Sequence, residues 1–165
     1  MRITQRKPQA TNGSVKEMAE RAIGKLDHIG IAVRSVAEAR KFFEGALGAR
    51  FLYEHANPDA GYRIFEFDLN GFTLELLEPL GKESFLHEFL DKHGEGLHHL
   101  TLDVPDAKAQ IAELKEKGVK VVNEREYGPD SYEGFISPRS SHGVLIQIGS
   151  GYPTLARAAE WFEKK

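Results

Sequence analysis

Two near-copies of one strand carry histidine at the same place. His28 stands in KLDHIGIAV (residues 25–33), and His98 and His99 stand side by side in GLHHLTLDV (residues 96–104). Strand side chains alternate between faces. In the first copy Ile29, Ile31 and Val33 share an apolar face, while His28, Gly30 and Ala32 share a small, open one. In the second copy Leu100, Leu102 and Val104 take the apolar face, so His99, Thr101 and Asp103 occupy the face equivalent to that of His28. His99 is thus the counterpart of His28. His98 falls on the apolar parity near the strand start and reads as structural or partly exposed. The stretches GFTLELL (residues 71–77) and GVLIQIG (residues 143–149) supply a second pair, Glu75 with Gln147. A carboxylate among Leu74, Leu76 and Leu77 is costly to bury unless it is paired or bound to a metal. The aligned positions collect two imidazoles, one carboxylate and one amide, an N/O donor set for one divalent ion such as Co, Ni, Mn, Fe(II) or Zn. One histidine or one glutamate on a strand is ordinary; superposition in pairs is what marks His28, Glu75, His99 and Gln147 as a site.

These residues need strands to hold them, and the chain repeats a set of elements that does so. Residues 26–33 alternate as a strand. A helix follows over residues 35–48, with Ser35 as its cap and Gly48 at its end. ARFLYE and YRIFEFDL read as strands, and Asn70-Gly71 is a two-residue hairpin turn before FTLELLEP. The second half runs through a strand at 97–104, a helix from Asp106 to about Lys117, VKVVNE, a short strand at 134–137, and a last strand at 143–148. Each half is strand-helix-strand-strand-strand. The predicted fold is α+β, two tandem βαβββ modules (residues 25–80 and 96–149) curved into a half-barrel cleft, because one such module alone has open edges and too little core. GKESFLHEFLDKHGEG (residues 81–96) reads as a helical linker. Residues 1–24 read as a polar arm with a short helix near 15–22, and residues 150–165 as a terminal helix.

Composition excludes several classes. The chain has 165 residues, a formal charge of -3 and a pI near 6.2, which gives no basic footprint for nucleic acid. Hydrophobic residues make up 41% and charged residues 28%, the balance of a globular protein that needs no membrane. No apolar run is long enough to span a bilayer, and the first residues lack the apolar block of a secretory signal. There is no cysteine, so thiol nucleophiles, thiolate metal sites and disulfides are absent. The expectation is a cytoplasmic protein acting on a small molecule.

The segments DHIGIAV, LELLEP, GEGLHHLTLDV, LKEKGV and SPRSSHGVLIQI resemble the vicinal oxygen chelate (glyoxalase/bleomycin resistance/dioxygenase) superfamily, and within it most closely the methylmalonyl-CoA epimerases and glyoxalase I-type proteins. The resemblance covers about residues 25–149. It implies the glyoxalase-like fold of paired βαβββ modules around a metal-bearing cleft, with ligands on the first and last strand of each module: here His28, Glu75, His99 and Gln147. It also implies a homodimer. The implied chemistry is proton abstraction next to a carbonyl or thioester, with the ion acting as Lewis acid and a carboxylate as base. An epimerase ordinarily needs two bases, one on each face of the carbon. The resembling enzymes use a glutamate on the last strand, where this chain has Gln147, and a glutamate in the loop before the third strand, where the nearest match is Asp59. Both departures fall on the bases and not on the histidines, so Glu75 and Asp59 are the expected catalytic carboxylates.

A metal-dependent epimerase or isomerase acting on a CoA thioester or another oxygen-chelating compound is the favoured function. A glyoxalase I-type lyase needs only one carboxylate. An Fe(II) dioxygenase would use His28, His99 and Glu75 as its two imidazoles and one carboxylate. A non-catalytic resistance protein of the same fold is the fourth reading, and the intact histidine pair counts against it. Arg139, Ser140 and Ser141, in the turn SPRSSHG, are candidate contacts for a substrate phosphate or carboxylate, though a solvated hairpin loop explains them equally. EYGPDSYEG (residues 126–134) reads as a mobile loop over the cleft, with Tyr127 and Tyr132 available to cover substrate. Trp161 and Phe162 read as packing or dimer contacts.

Overall fold

The computed structural model describes residues 24–128 and 131–151. The expected helix near residues 15–22, and the terminal helix with Trp161 and Phe162, lie outside the described residues. Within them the chain forms β1 (Leu26–Ala32), α1 (Val36–Phe43), β2 (Arg50–Asn57), β3 (Tyr62–Leu69), β4 (Phe72–Pro79), α2 (Leu86–His93), β5 (Gly96–Asp103), α3 (Ala107–Glu116), β6 (Val121–Gly128), β7 (Ser131–Ile136) and β8 (Ile146–Ser150). Local sequence explains the boundaries. Ser35 Oγ accepts from the Glu38 backbone N–H at the start of α1, and Asp106 Oδ1 accepts from that of Ala109 at the start of α3. Asn70 and Gly71 both adopt positive φ, 54° and 90°, as a two-residue hairpin turn matched to the twist of its strands demands.

All eight described strands join one mixed sheet in the order β2-β3-β4-β1-β5-β8-β7-β6, curled into the expected half-barrel. Its centre is the antiparallel pair β1–β5, where the two modules meet. Each of these strands pairs in parallel with the last strand of its own module, β1 with β4 and β5 with β8. The four strands expected to carry ligands therefore lie side by side.

The alternation divides the sheet as the sequence predicts. On the convex side Val36 of α1 packs on Phe65, Phe67, Leu74 and Leu76, and Ile111 of α3 packs with Ile136 and Ile148. The concave face keeps His28, Glu75, His99 and Gln147. Two features differ from the sequence reading. Residues 81–96 are more than a linker: Leu86 and Leu90 of α2 bury against Ala32 and Leu77, with Tyr62 and Ile64 alongside, and so close one end of the concave face. The stretch expected as a mobile loop is instead built largely of β6 and β7, with Glu126 paired to Tyr132. The short strand expected at 134–137 begins earlier, at Ser131, and Gly134 lies in its interior and not at its start. A Cβ there would lie 2.7 Å from Ile111 Cδ1, so the position is glycine to let α3 approach.

Because Leu90 is 1% exposed, removing its side chain leaves a cavity under α2. Leu90→Ala is expected to lower stability by about 2–5 kcal/mol, read as a reduced urea midpoint at unchanged slope.

Candidate metal centre

The β1–β5 register sets Gly30 opposite His99 and His28 opposite Thr101. Adjacent residues on facing strands then bring His28 Nε2 and His99 Nε2 to 3.3 Å. Gly30 makes this approach possible. A Cβ at that position would lie 2.2 Å from His99 Cε1 and 2.4 Å from Nδ1, so the imidazole rests where any side chain would be. Glu75, on the neighbouring β4, places Oε2 3.8 Å from His28 Nε2 and Oε1 3.6 Å from His99 Nε2. All three side chains are buried. Donors held about 2.0–2.2 Å from one ion lie roughly 3.0–3.5 Å from each other, so this triangle is close to a coordination face.

Hydrogen bonds behind the triangle orient both rings. His28 Nδ1 donates to Asp27 Oδ2 at 2.8 Å, the carboxylate–imidazole arrangement that orients metal-binding histidines. His99 Nδ1 lies 3.0 Å from His98 Nδ1. Burial pulls the pKa of His98 down to about 4, so it is neutral near pH 7 and can accept the His99 proton. Both front-line imidazoles are thus held through Nδ1 and turn Nε2 toward Glu75, at 3.8 Å and 3.6 Å. Burial works to lower the pKa of His28, yet the nearby carboxylates of Glu75 and Asp27 outweigh it and the net shift is upward. His99 is held well below its ordinary value by burial and by the charge of His28. The two imidazoles are thereby pushed in opposite directions, His28 up and His99 down. The group His28, Glu75 and His99 is able to hold a metal ion.

His98 departs from the sequence reading. The register shift between Gly30 and Ile31 is a β-bulge that opposes two residues of β5 to one of β1, and the strict alternation fails there. His98 does not join the convex apolar face. Its ring packs 4.9 Å from Phe89 and 6.0 Å from Phe85, beneath α2. It braces His99 from behind.

Gln147 is buried beside the triangle. Its Oε1 accepts from Thr101 Oγ1 at 2.7 Å, and Thr101 Oγ1 is itself 2.8 Å from His28 Nε2. Its Nε2 donates to Glu133 Oε2 at 2.8 Å. Asp59 stands on the exposed turn between β2 and β3, outside the buried group. In the turn before β8, Ser140 Oγ accepts from the Lys120 backbone N–H, and Ser141 Oγ donates to the carbonyls of Ser137 and Val144. Arg139 is exposed on the same turn.

Two carboxyl groups that the sequence reading passed over also line the concave face. Glu66 of β3 lies opposite Glu75 and is buried. Burial first, and the charge of Glu75 second, push its pKa well up and favour its protonated form, the donor of the hydrogen bond it shares with Glu75. Glu66 Oε2 has no hydrogen-bond partner. Glu133 of β7 is 5% exposed and accepts from Tyr127 Oη at 2.8 Å as well as from Gln147. The signal for Glu66 was present: it shares parity with Ile64, opposite to Phe65 and Phe67. Glu133 was hidden by the loop assignment.

A model of the glyoxalase/bleomycin resistance protein/dioxygenase superfamily matches residues 27–135. The chain belongs to this superfamily. The ethylmalonyl-CoA/methylmalonyl-CoA epimerase of Cereibacter sphaeroides is 32% identical over 130 residues, which are 76% of this chain and 97% of that protein. The uncharacterized protein YqjC of Bacillus subtilis is 36% identical over 128 residues, 76% of this chain and 91% of its own. Among solved structures, a variant of Streptomyces coelicolor methylmalonyl-CoA epimerase in complex with 2-nitronate-propionyl-CoA matches with a TM-score of 0.72 at 29% identity, covering 81% of this chain and 98% of that one. The resemblance read from the short motifs is thus found across most of the chain.

Two substitutions test the centre without touching a ligand. Gly30→Ala is expected to displace His99 and abolish stoichiometric metal binding while the far-ultraviolet circular dichroism stays that of the parent. Asp27→Asn is expected to weaken metal affinity by about 10–100-fold in a competition titration with a chelator, because the charged acceptor behind His28 becomes a neutral amide that raises the basicity of the imidazole less.

Proposed function

We propose that the chain is a metal-dependent epimerase of the methylmalonyl-CoA type, acting on the carbon next to a thioester carbonyl. The observation that carries this reading is the buried His28–Glu75–His99 group at the junction of two modules, in a chain whose relatives include methylmalonyl-CoA epimerases along nearly the whole matched length. A divalent ion bound there, with Gln147 Oε1 as a fourth protein donor, supplies a Lewis acid that polarises the substrate carbonyl.

The chain's own residues do the rest. Glu75 presents one oxygen toward each histidine and accepts a hydrogen bond from Glu66; burial holds its pKa above the ordinary carboxylate value, as suits a base, and it is the group assigned to take the α-proton. Helix α2 closes one end of the cleft and keeps water from the reacting carbon. Arg139, Ser140 and Ser141 are proposed to meet the anionic part of the substrate at the rim, with Arg139 the side chain free to do so. Asp59, the other carboxylate expected as a base, lies on the exposed turn between β2 and β3, apart from the buried group, and so Glu75 is favoured for that role.

The same two imidazoles and one carboxylate suit Fe(II) in a dioxygenase. The additional carboxyl groups of Glu66 and Glu133 favour proton transfer over oxygen chemistry, since oxygen activation has no use for two further acids at the ion.

The test is metal-dependent epimerisation. The chain is purified without a histidine tag, stripped, and reloaded in turn with Co, Ni, Mn, Fe(II) or Zn. It is expected to bind one ion per chain, to interconvert the two isomers of methylmalonyl-CoA, and to lose both properties in His99→Ala. Metal binding with no turnover of the thioester, but with turnover of a glutathione hemithioacetal or oxygen uptake on a catechol, would move the function to a lyase or a dioxygenase.

A further inference from the structure

We propose that Glu133 is the second proton-transfer group of this site, acting from the β7 wall while Glu75 acts from the β4 wall, and that Gln147 supplies only an oxygen donor beside it. The assignment rests on the epimerase reading. Epimerisation removes a proton from one face of a carbon and returns one to the other, so two acceptors must stand on opposite sides of the substrate. The resembling enzymes place a glutamate on the last strand; here that position is Gln147, whose amide takes no proton near pH 7.

The fold supplies a carboxylate next to it. In β7 the parity is settled by packing: Tyr132 and Ile136 join the convex core and Gly134 lies under α3, so Glu133 and Phe135 face the cleft. The Phe135 ring lies 6.1 Å from that of His99, which confirms the side. In the strand order, β4 and β7 flank β1, β5 and β8, so Glu75 and Glu133 approach the histidine pair from different modules and from opposite walls of the curl. Glu133 is buried, as a group that transfers protons away from bulk water should be. Its carboxylate is held in place by the Tyr127 hydroxyl and the Gln147 amide, both of which donate to it. Tyr127 Oη, 2.8 Å away, can donate to the carboxylate and accept from the acid, so it serves both protonation states. The bond from Gln147 Nε2 has a second effect: it fixes the amide with Oε1 turned toward Thr101 and His28, the orientation an oxygen donor requires.

The step balances. In one direction the Glu75 carboxylate takes the proton from the carbon next to the thioester carbonyl, and the C–H electron pair passes into the enolate. Glu133, as the acid, gives its proton to the opposite face and the new C–H bond forms. One proton has moved from Glu133 to Glu75, with no oxidation or reduction, and exchange with solvent resets both. The other isomer uses the same groups in reverse.

The experiment compares the full chain, Glu133→Gln, and the exchanged pair Glu133→Gln with Gln147→Glu, each loaded with Co(II), on each isomer of methylmalonyl-CoA in D2O. Cobalt content and the visible Co(II) spectrum are recorded alongside. Glu133→Gln is expected to keep its cobalt, to lose epimerisation by at least about 100-fold, and to exchange the α-proton of one isomer only, the one that faces Glu75. The exchanged pair keeps one carboxylate and one amide in contact and returns a carboxylate to that wall, so it is expected to recover epimerisation at least about tenfold over the single variant. The assignment is overturned if Glu133→Gln epimerises within about threefold of the parent, if it slows exchange of both isomers alike, or if it loses cobalt. A parent chain that exchanges neither isomer overturns the epimerase reading itself, a result distinct from a fully active Glu133→Gln.

Discussion

The antiparallel pairing of β1 with β5 is the constraint on which the rest depends. It is the seam between the modules, and its register alone decides how far His28 lies from His99. The two rings meet at 3.3 Å because Gly30 has no side chain and because the bulge at His98 sets His99 opposite that glycine. The parallel neighbours β4 and β8 then add Glu75 and Gln147 from the flanks. Shifting any of these strands by one residue would send its ligand to the convex core, where α1 and α3 leave no space for a polar group. The apolar parity of the strands, packed under the helices, is therefore what fixes the site: packing on the outside of the curl determines the chemistry on the inside.

Electrostatics sets the second constraint. Asp27, Glu66, Glu75 and Glu133 all converge on two imidazoles in a region closed to water. Unbalanced, this much negative potential would unfold the cleft or force protons onto the carboxyls. The structure shows three different answers. Asp27 is used up in orienting His28. Glu66 is pushed toward its protonated form by burial and by Glu75, to which it is hydrogen-bonded. Glu133 is satisfied by Tyr127 and by the amide of Gln147. A glutamate at position 147 would place carboxylate against carboxylate at the very contact that Gln147 now fills with a donor. The amide on the last strand is thus matched to Glu133, and the two positions form one unit.

The parity of short strands made a large part of this legible. The pairing of His28 with His99 and of Glu75 with Gln147 follows from alternation and from the repeat, and the structure brings these four together. The βαβββ order, the caps at Ser35 and Asp106 and the Asn70-Gly71 turn follow from local chemistry that tertiary packing leaves unchanged. What escaped has physical reasons. A bulge is a property of two strands together, so His98 could not be placed from one strand read alone. The role of α2 depends on which end of the cleft its apolar face meets, a long-range fact. Glu133 lay in a stretch whose glycine and polar residues look like a loop, because Gly134 answers to the approach of α3 and not to a turn.

The departure from twofold symmetry is where function enters. The two modules place histidine at equivalent positions, yet the first contributes a carboxylate from its last strand and the second an amide. A symmetric pair of carboxylates would hold an ion tightly and leave four negative groups around the substrate. With Glu75 on one wall and Gln147 backed by Glu133 on the other, the second module carries one negative charge fewer on its last strand, and each wall still presents one carboxylate. Tyr127 ties Glu133 to the β6–β7 hairpin, whose outer strand lies at the edge of the sheet. Glu75 is held between the histidines and Glu66 near the centre of the sheet, while Glu133 is held by a tyrosine and an amide nearer its edge, so the two modules surround equivalent histidines with different carboxylate environments.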